Sequence, residues 1–224
     1  RDQSDGRFNL QFDVVGPYTL GTQATYGAND KSGSDVNARG MVTEACRKAY
    51  NDGVDFSPYD WDGDGWVEEV YVLYAGRGEA TNGGDNTIWP HKWQLASPLQ
   101  VGSRYVSVYA CSNELRTATD YMGIGTICHE FSHCLGYPDM YDTRGNSGTS
   151  NTFYGMGTWD LMCSGSYNGN EYCPAGYTAY EKMVAGWLTP KDLTEDVTVT
   201  GMKTTVQGGD VYRFTNPGNK NEYY

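Results

Sequence analysis

One short segment of this chain contains residues of the types and spacing that build a reactive metal site. It follows the pattern H-E-x-x-H-x-x-G-x-x-D from His129 to Asp139. Residues four apart lie on one face of a helix, so His129 and His133 can direct two imidazoles at one ion. Glu130 flanks the same face, where its carboxylate can reach a metal-bound water. Gly136 favours a helix end, and the chain can then turn back to offer Asp139 as a third ligand.

Three protein ligands leave a fourth position open for water, which is typical of a catalytic zinc site. The H-E-x-x-H pattern alone also occurs in ordinary amphipathic helices. This chain, however, has only three histidines, and two of them lie at ligand spacing. The third, His91, would have to approach from a remote loop, whereas the local turn delivers Asp139. We therefore expect zinc to be bound by His129, His133 and Asp139, with Glu130 as the catalytic carboxylate.

A second acidic segment predicts a calcium site. It begins D-x-D-x-D-G at Asp60, and carboxylates on alternate residues with a glycine at the sixth position can surround a hard cation. The twelfth position is Tyr71 rather than glutamate, so the segment is not a complete EF-hand loop, and a solvated acidic turn is the alternative. Calcium is favoured because carboxylates this close repel one another unless a cation neutralises them. The predicted ligands are Asp60, Asp62, Asp64, the carbonyl of Trp66, Glu68 and Glu69.

The composition restricts partners and compartment. The 224 residues include 28 acidic and 16 basic ones, which argues against nucleic acid or an anionic membrane surface as partner. No apolar run approaches the roughly 20 residues that a membrane-spanning helix needs. The chain opens at Arg1 without methionine and stops at Tyr224 among strand-like residues. We therefore expect a mature or trimmed fragment whose native polypeptide continues.

Six cysteines leave the redox state open. Three disulfides are possible in an extracellular protein, and reduced, structural cysteines are slightly favoured.

The hydrophobic pattern predicts mixed helices and strands. The predicted strands are 8–15, 69–75 and 105–111, with short strands after Pro190, and the predicted helices are 34–51, 120–135 and 174–187. The helix that carries the metal motif is expected to bury its other face in the core. That face consists of Ile124, Ile127, Cys128, Phe131 and Leu135.

Several motifs together resemble the immune inhibitor A family of secreted bacterial metallopeptidases. They are H-E-F-S-H-C-L-G-Y-P-D-M-Y-D at 129–142, T-W-D-L-M-C-S-G-S at 158–166, Y-D-W-D-G-D-G at 59–65 and F-D-V-V-G-P at 12–17. The resemblance covers nearly the whole chain. It implies an α+β fold of zincin or metzincin-like type, with two lobes, a twisted mixed sheet, an active-site helix and a loop-rich lower lobe. It also implies an extracellular endopeptidase made with an N-terminal prosegment.

The same resemblance implies a domain organisation and further site residues. Residues 1–136 would form the upper lobe, 137–190 the lower lobe, and 191–224 the start of a β-rich segment. Met162 would form a methionine turn, an apolar floor under the zinc. Relatives in the broader class often place a transition-state tyrosine two residues later, but that position here is Ser164. Tyr167 is the nearest tyrosine in sequence.

The sequence thus predicts a zinc-dependent endopeptidase in which Glu130 takes a proton from the attacking water and delivers it to the leaving amine. His91 and Tyr167 are candidate donors to the oxyanion. A non-catalytic extracellular metal-binding module is the alternative, and a zinc hydrolase of non-peptide amides is a further one. Glu130 discriminates against the module, because a purely structural site has no use for a carboxylate beside an open coordination position.

Overall fold

The computed structural model describes residues 2–143 and 154–224, and the described elements mix helices with small sheets. The predicted mixture of α and β structure is confirmed. The chain forms two compact units, Asp13–Ala175 and a smaller one that combines Arg1–Phe12 with Gly176–Tyr224. The predicted lobe boundaries at 136 and 190 stay a prediction, and part of the predicted lower lobe, 144–153, lies outside the described residues.

The larger unit is built on a sheet with one central strand. Its strands are β1 (Trp66–Val67), β2 (Val70–Arg77), β3 (His91–Val101) and β4 (Arg104–Leu115). Strands β1 and β2 pair with β4 in parallel, and β3 pairs with it antiparallel. The predicted strands 69–75 and 105–111 are confirmed in β2 and β4. Strand β3 was not predicted, because polar residues and Pro98 interrupt its apolar alternation.

Two helices precede the sheet in the larger unit, α1 (Gln23–Gly27) and α2 (Ala38–Asn51). Helix α2 confirms the predicted helix at 34–51, although it begins after Asn37. Its apolar residues recur at helical spacing and pack with the sheet in the core of this unit. The core residues on α2 are Ala38, Met41, Val42, Cys46 and Ala49.

Helix α3 (Gly125–Cys134) carries the metal motif and begins later than predicted. Tyr121 forms a bridge with Leu115, and the amide of Met122 donates to the carbonyl of Glu114, so residues before the helix extend the edge of β4 instead. The predicted core face is wrong at its first member, because Ile124 is 56% exposed. Its other members are only half-buried, whereas the buried residues of α3 are Gly125, Thr126, Glu130 and Ser132.

The smaller unit contains α4 (Ala179–Val184) and the strands β5 (Lys191–Asp192), β6 (Tyr212–Arg213), β7 (Thr215–Asn216) and β8 (Asn219–Tyr223). The predicted short strands after Pro190 are therefore confirmed. Helix α4 is shorter than the predicted 174–187. Thr178 fixes its start by accepting a hydrogen bond from the Glu181 amide while Glu181 bonds back. Gly186, at φ +71°, follows its end.

The predicted strand at 8–15 is wrong. None of these residues pairs with another strand, and Phe12 and Val14 are exposed by 71% and 87%. An apolar run becomes a strand only where a neighbour satisfies its backbone groups.

All six cysteines lie among the described residues and are free thiols. In the described part of the chain, no helix combines the length and the apolar character needed to cross a bilayer.

Candidate metal centre

Three side chains from the motif converge on one point. The Nε2 atoms of His129 and His133 lie 3.2 Å apart. Oδ1 of Asp139 lies 3.2 Å from the first of them and 3.3 Å from the second. The two imidazoles come from one face of α3, and Gly136, at φ +94°, lets the chain reverse after the helix. The structure thus brings the three predicted zinc ligands together.

Backbone carbonyls fix which imidazole nitrogens face the cluster. Nδ1 of His129 lies 2.9 Å from the Leu161 carbonyl, and Nδ1 of His133 lies 2.7 Å from the Tyr137 carbonyl. A carbonyl only accepts hydrogen bonds, so each Nδ1 carries a proton and donates it. In the neutral imidazole, Nε2 is then a lone-pair acceptor. Backbone partners of this kind are the usual way in which a metal-binding histidine is oriented.

The donor set fits a divalent cation. Two imidazole acceptors and a carboxylate oxygen meet, and Oδ1 of Asp139 is buried without a well-directed hydrogen bond. Three acceptors this close repel one another unless a proton or a cation lies among them. A set of two histidines and one carboxylate suits zinc.

The pKa values of His129, His133 and Asp139 also indicate that the cluster attracts positive charge. Burial works against charging the imidazoles, but Asp139 and the backbone carbonyls outweigh it, and the pKa of both His129 and His133 is raised. Burial likewise opposes ionisation of Asp139, yet the two imidazoles hold its pKa well below its usual range. A bound metal would take the place of a proton at Nε2, because metal ligands bind in their deprotonated form.

Glu130 lies beside the cluster and is only 9% exposed. Burial raises the pKa of its carboxyl, and the neighbouring imidazoles of His129 and His133 oppose that effect. The backbone of Lys92, on β3, also counteracts the rise in the pKa of the Glu130 carboxyl. A buried carboxyl with a raised pKa keeps a proton more readily than an exposed one, which is a property a general base and acid needs.

The segment 160–162 supports the cluster from outside the motif. The Leu161 carbonyl accepts a hydrogen bond from Nδ1 of His129, and the Met162 carbonyl accepts one from the amide of Met140, next to Asp139. Met162 itself is fully buried, and its amide donates to Oδ1 of the buried Asp160. The segment therefore contacts both the helix and the return of the chain. The sequence pointed to Met162 only through a resemblance, and no local signal identified Asp160.

Glu171 was missed by sequence reasoning and fixes the start of α3. Its Oε2 accepts from the Thr126 amide at 3.2 Å and from the Thr126 hydroxyl at 2.8 Å, while its carbonyl accepts from the Gly125 amide. The first amides of a helix have no partner within it, so they need an outside acceptor. Glu171 is 45 residues away along the chain from Thr126, and spacing alone gives no sign of the pairing.

The two predicted oxyanion donors differ in position. Burial raises the pKa of the Tyr167 phenol most, and the charges of Glu171, Glu130 and Asp139 raise it further. Tyr167 therefore lies close to Glu130 and Asp139. His91, at the start of β3, already uses both ring nitrogens. Nδ1 lies 2.6 Å from the Trp89 carbonyl, and Nε2 lies 2.8 Å from the Tyr109 hydroxyl.

A separate cluster forms in the acidic segment that precedes β2. Ligand atoms of Asp60, Asp62 and Glu68 lie within 4.8 Å of one another. Oδ1 of Asp60 and Oε2 of Glu68 are buried and have no hydrogen-bond partner. Nε of Arg104 lies 2.6 Å from Oδ2 of Asp60 and neutralises part of the charge. The two unpartnered oxygens fit a hard cation such as calcium.

The other predicted calcium ligands lie differently. Oδ1 of Asp64 accepts from the Trp66 amide, and Asp64 does not belong to the cluster. The predicted carbonyl ligand of Trp66 stays a prediction. Glu69 also lies outside the cluster, and its predicted role as a calcium ligand stays a prediction. Its carboxyl contacts the Cys134 thiol, whereas the Glu68 carboxyl belongs to the acidic cluster.

Comparison with known proteins identifies the family. Residues 1–188 match the family described as "Immune inhibitor A peptidase M6, catalytic domain". The chain belongs to this family. The resemblance seen in the motifs is therefore confirmed.

Two relatives in this family show how much of a longer protein the chain represents. It is 27% identical to "Immune inhibitor A" of Bacillus thuringiensis subsp. alesti over 83% of this chain and 31% of the relative. It is 28% identical to "Pre-pro-metalloprotease PrtV" of two Vibrio cholerae serotype O1 strains over 75% of this chain and 20% of each relative. The chain thus spans less than a third of the length of these curated relatives.

Proposed function

We propose that this chain is the catalytic domain of an extracellular zinc-dependent endopeptidase. The observation that carries the proposal is the convergence of two Nε2 lone pairs and one carboxylate oxygen, with the buried carboxyl of Glu130 beside them. Membership of the M6 peptidase family and the name metalloprotease given to a relative support it. The metzincin-like division into two lobes belongs to the same proposal.

His129, His133 and Asp139 would hold the zinc ion. When bound, zinc would lower the pKa of a coordinated water and polarise the carbonyl of a peptide substrate. The carbonyls of Leu161 and Tyr137 orient the imidazoles by accepting hydrogen bonds from their Nδ1–H groups. Because Asp139 is held ionised and both Nε2 atoms face it, the ligand set is arranged before substrate arrives.

Glu130 would move the proton in this reaction. A carboxylate oxygen of Glu130 accepts a proton from the attacking water and then delivers it to the nitrogen of the leaving amine. Burial raises the pKa of Glu130, which lets the protonated form survive between the two transfers. Tyr167 is the candidate to donate a hydrogen bond to the oxyanion, because its phenol lies near Glu130 and Asp139. His91 is a weaker candidate, since both of its nitrogens are engaged.

Replacing Glu130 with glutamine tests this proposal. The variant E130Q should keep stoichiometric zinc and lose at least about 100-fold in the rate of cleavage of casein or a quenched fluorogenic peptide. Glu195→Gln, the same change at an exposed position, should cleave like the wild type. A chelator should abolish the wild-type activity. Undiminished cleavage by E130Q would overturn the assigned role, and a zinc-bound wild type that cleaves no peptide would favour the non-catalytic metal-binding module.

A structural calcium ion belongs to the same proposal. Asp60, Asp62 and Glu68 would hold it, and its role would be to stabilise the turn that leads into β2. Protein or peptide substrates, and a precursor with a prosegment, are proposed from the resemblance. The name of the Vibrio relative describes that protein as a pre-pro form.

A further inference from the structure

The backbone of the acidic segment already orients two carboxylates of the acidic cluster, which consists of Asp60, Asp62 and Glu68. Oε1 of Glu68 accepts from the Trp61 amide at 2.7 Å and from the Asp62 amide at 3.2 Å. Oδ2 of Asp60 accepts from the Gly65 amide at 3.1 Å. The second oxygen of each side chain, Oε2 of Glu68 and Oδ1 of Asp60, is buried and has no hydrogen-bond partner. The cluster therefore offers these oxygens in fixed directions.

Asp60 is the member of the cluster that meets a positive charge from the protein. Its side chain is 1% exposed, and a carboxylate buried to this extent needs a positive partner. Nε of Arg104 lies 2.6 Å from Oδ2 of Asp60, and the Arg104 side chain is 29% exposed. The arginine thus occupies one oxygen of Asp60 and leaves Oδ1 to the cluster.

The sheet places Arg104 in this position. Arg104 is the first residue of β4, and the amide of the next residue, Tyr105, donates to the Gly65 carbonyl at 3.0 Å. Strand β1 continues the contact, since Trp66 pairs with Tyr105. One guanidinium nitrogen of Arg104 also donates to Oγ of Ser103 at 2.9 Å. Backbone pairing therefore sets Arg104 beside the cluster independently of any bound ion.

Arg104 changes the charge that an incoming cation meets. The three carboxylates of the cluster carry three formal negative charges, and the guanidinium leaves two, which is the charge that one divalent ion neutralises. The guanidinium attracts the carboxylates of the empty cluster but repels a cation bound among them. That repulsion grows in proportion to the charge of the cation.

We propose that Arg104 sets the affinity and the charge selectivity of the calcium site. It stabilises the empty loop, and it weakens the binding of a trivalent ion more than that of a divalent one. The inference rests on the calcium site included in the proposed function and deepens it. An arginine that only supported the fold would have the opposite signature, because its loss would weaken the loop and the ion site together.

The test compares calcium binding by wild type, Arg104→Gln and Arg104→Lys, each with zinc bound, in competition with a calcium-chelating dye. R104Q should bind calcium about tenfold more tightly, because a unit charge and a divalent ion a few ångströms apart repel by about that factor even in water. The Gly65 amide still orients Asp60 in this variant. R104K keeps the charge and should bind within about twofold of wild type. Arg47→Gln, at an exposed position on α2, is the matched control and should match wild type.

Two further measurements separate electrostatics from folding. Terbium binding, followed by luminescence excited through the tryptophans of the loop, should tighten by about 30-fold in R104Q, since the repulsion of a trivalent ion is half as large again. Without calcium, R104Q should unfold at a lower urea concentration than R47Q. If R104Q folds only when calcium is added, the calcium dependence of its folding gives the affinity.

Unchanged or weaker calcium binding by R104Q would overturn the inference, and so would equal tightening for calcium and terbium. Tighter binding by R104K equal to that of R104Q would also contradict it, because the charge would then not be the cause. A wild type that binds no calcium would overturn the calcium site together with the inference. Zinc binding and peptide cleavage would still test the zinc endopeptidase on their own, so the failures are distinguishable.

Discussion

Nδ1 of His129 lies 2.9 Å from the carbonyl oxygen of Leu161, the residue that precedes the fully buried Met162. The hydrogen bond joins the helix of the metal motif to a segment 32 residues further along the chain. It also determines that Nε2 of His129 is the nitrogen that faces Asp139. The orientation of a proposed ligand therefore depends on how well the 160–162 segment is packed.

Met162→Ala should destabilise the protein and weaken zinc binding together. Truncating a buried methionine typically costs about 2–5 kcal/mol, through lost burial and the cavity left behind. The neighbouring Leu161 carbonyl would also lose its fixed position. Urea unfolding and chelator competition measure the two effects. The control is Met156→Ala, at a position that is 56% exposed and should change little. Equal effects from the two variants would contradict the prediction.

Glu68→Gln should weaken calcium binding, and Glu69→Gln should not. Oε2 of Glu68 is buried, unpartnered and part of the acidic cluster, whereas Glu69 lies outside it. A calcium concentration 100 times the Kd stabilises a protein by about 2.7 kcal/mol. Thermal unfolding across a calcium titration should show this stabilisation in wild type and E69Q at similar calcium concentrations. E68Q should need a higher calcium concentration to reach it. Similar titrations for E68Q and E69Q would show that the cluster is not the binding site.

Glu69 should make the free energy of unfolding depend on pH. Burial raises its pKa from 4.5 to about 7, and contacts with Cys134 and Lys92 oppose that effect only in part. Its contribution to stability is therefore fully present below about pH 4.5, and it is lost as the pH rises through 7. The difference between the two pKa values corresponds to at most about 3.4 kcal/mol.

Glu69→Gln stays neutral at every pH and removes this dependence. The unfolding free energy of E69Q relative to wild type should rise between pH 5 and pH 8 in urea titrations. Glu195→Gln, at an exposed position, should show no such change. The same difference between E69Q and wild type at both pH values would argue against a buried neutral carboxyl.

Glu171→Ala should destabilise the start of α3. It leaves the buried Thr126 hydroxyl and amide without their acceptor, and an unsatisfied buried group costs about 1–3 kcal/mol. Glu171→Gln keeps an acceptor oxygen and should cost less. Hydrogen exchange of the Gly125 and Thr126 amides should be faster in the alanine variant. Unchanged exchange there would show that the contact does not stabilise the helix.

The candidate metal ligands could be found from the sequence because their geometry is local. One helical turn sets His129 against His133, and a glycine turn returns Asp139. Their supporting partners could not be found in the same way. Leu161 and Glu171 approach α3 from 32 and 45 residues away, through packing that no spacing rule describes.

The errors in the predicted elements have equally specific causes. Residues 8–15 have the apolar content of a strand but no partner strand, while β3 has a partner in β4 but a polar, proline-containing sequence. Strand formation depends on pairing more than on the residues themselves.

Because the three proposed zinc ligands all fall between positions 129 and 139, a denatured chain retains them as near neighbours. Such a peptide can still chelate zinc, so the ion binds the unfolded ensemble as well as the native one, and the thermal shift it produces is smaller than its native affinity implies. What the folded protein adds is orientation. In the native protein the Leu161 and Tyr137 carbonyls hold the two imidazoles in place, and the unfolded ensemble has no such fixed acceptors. The same three ligands therefore bind from defined directions only in the folded chain.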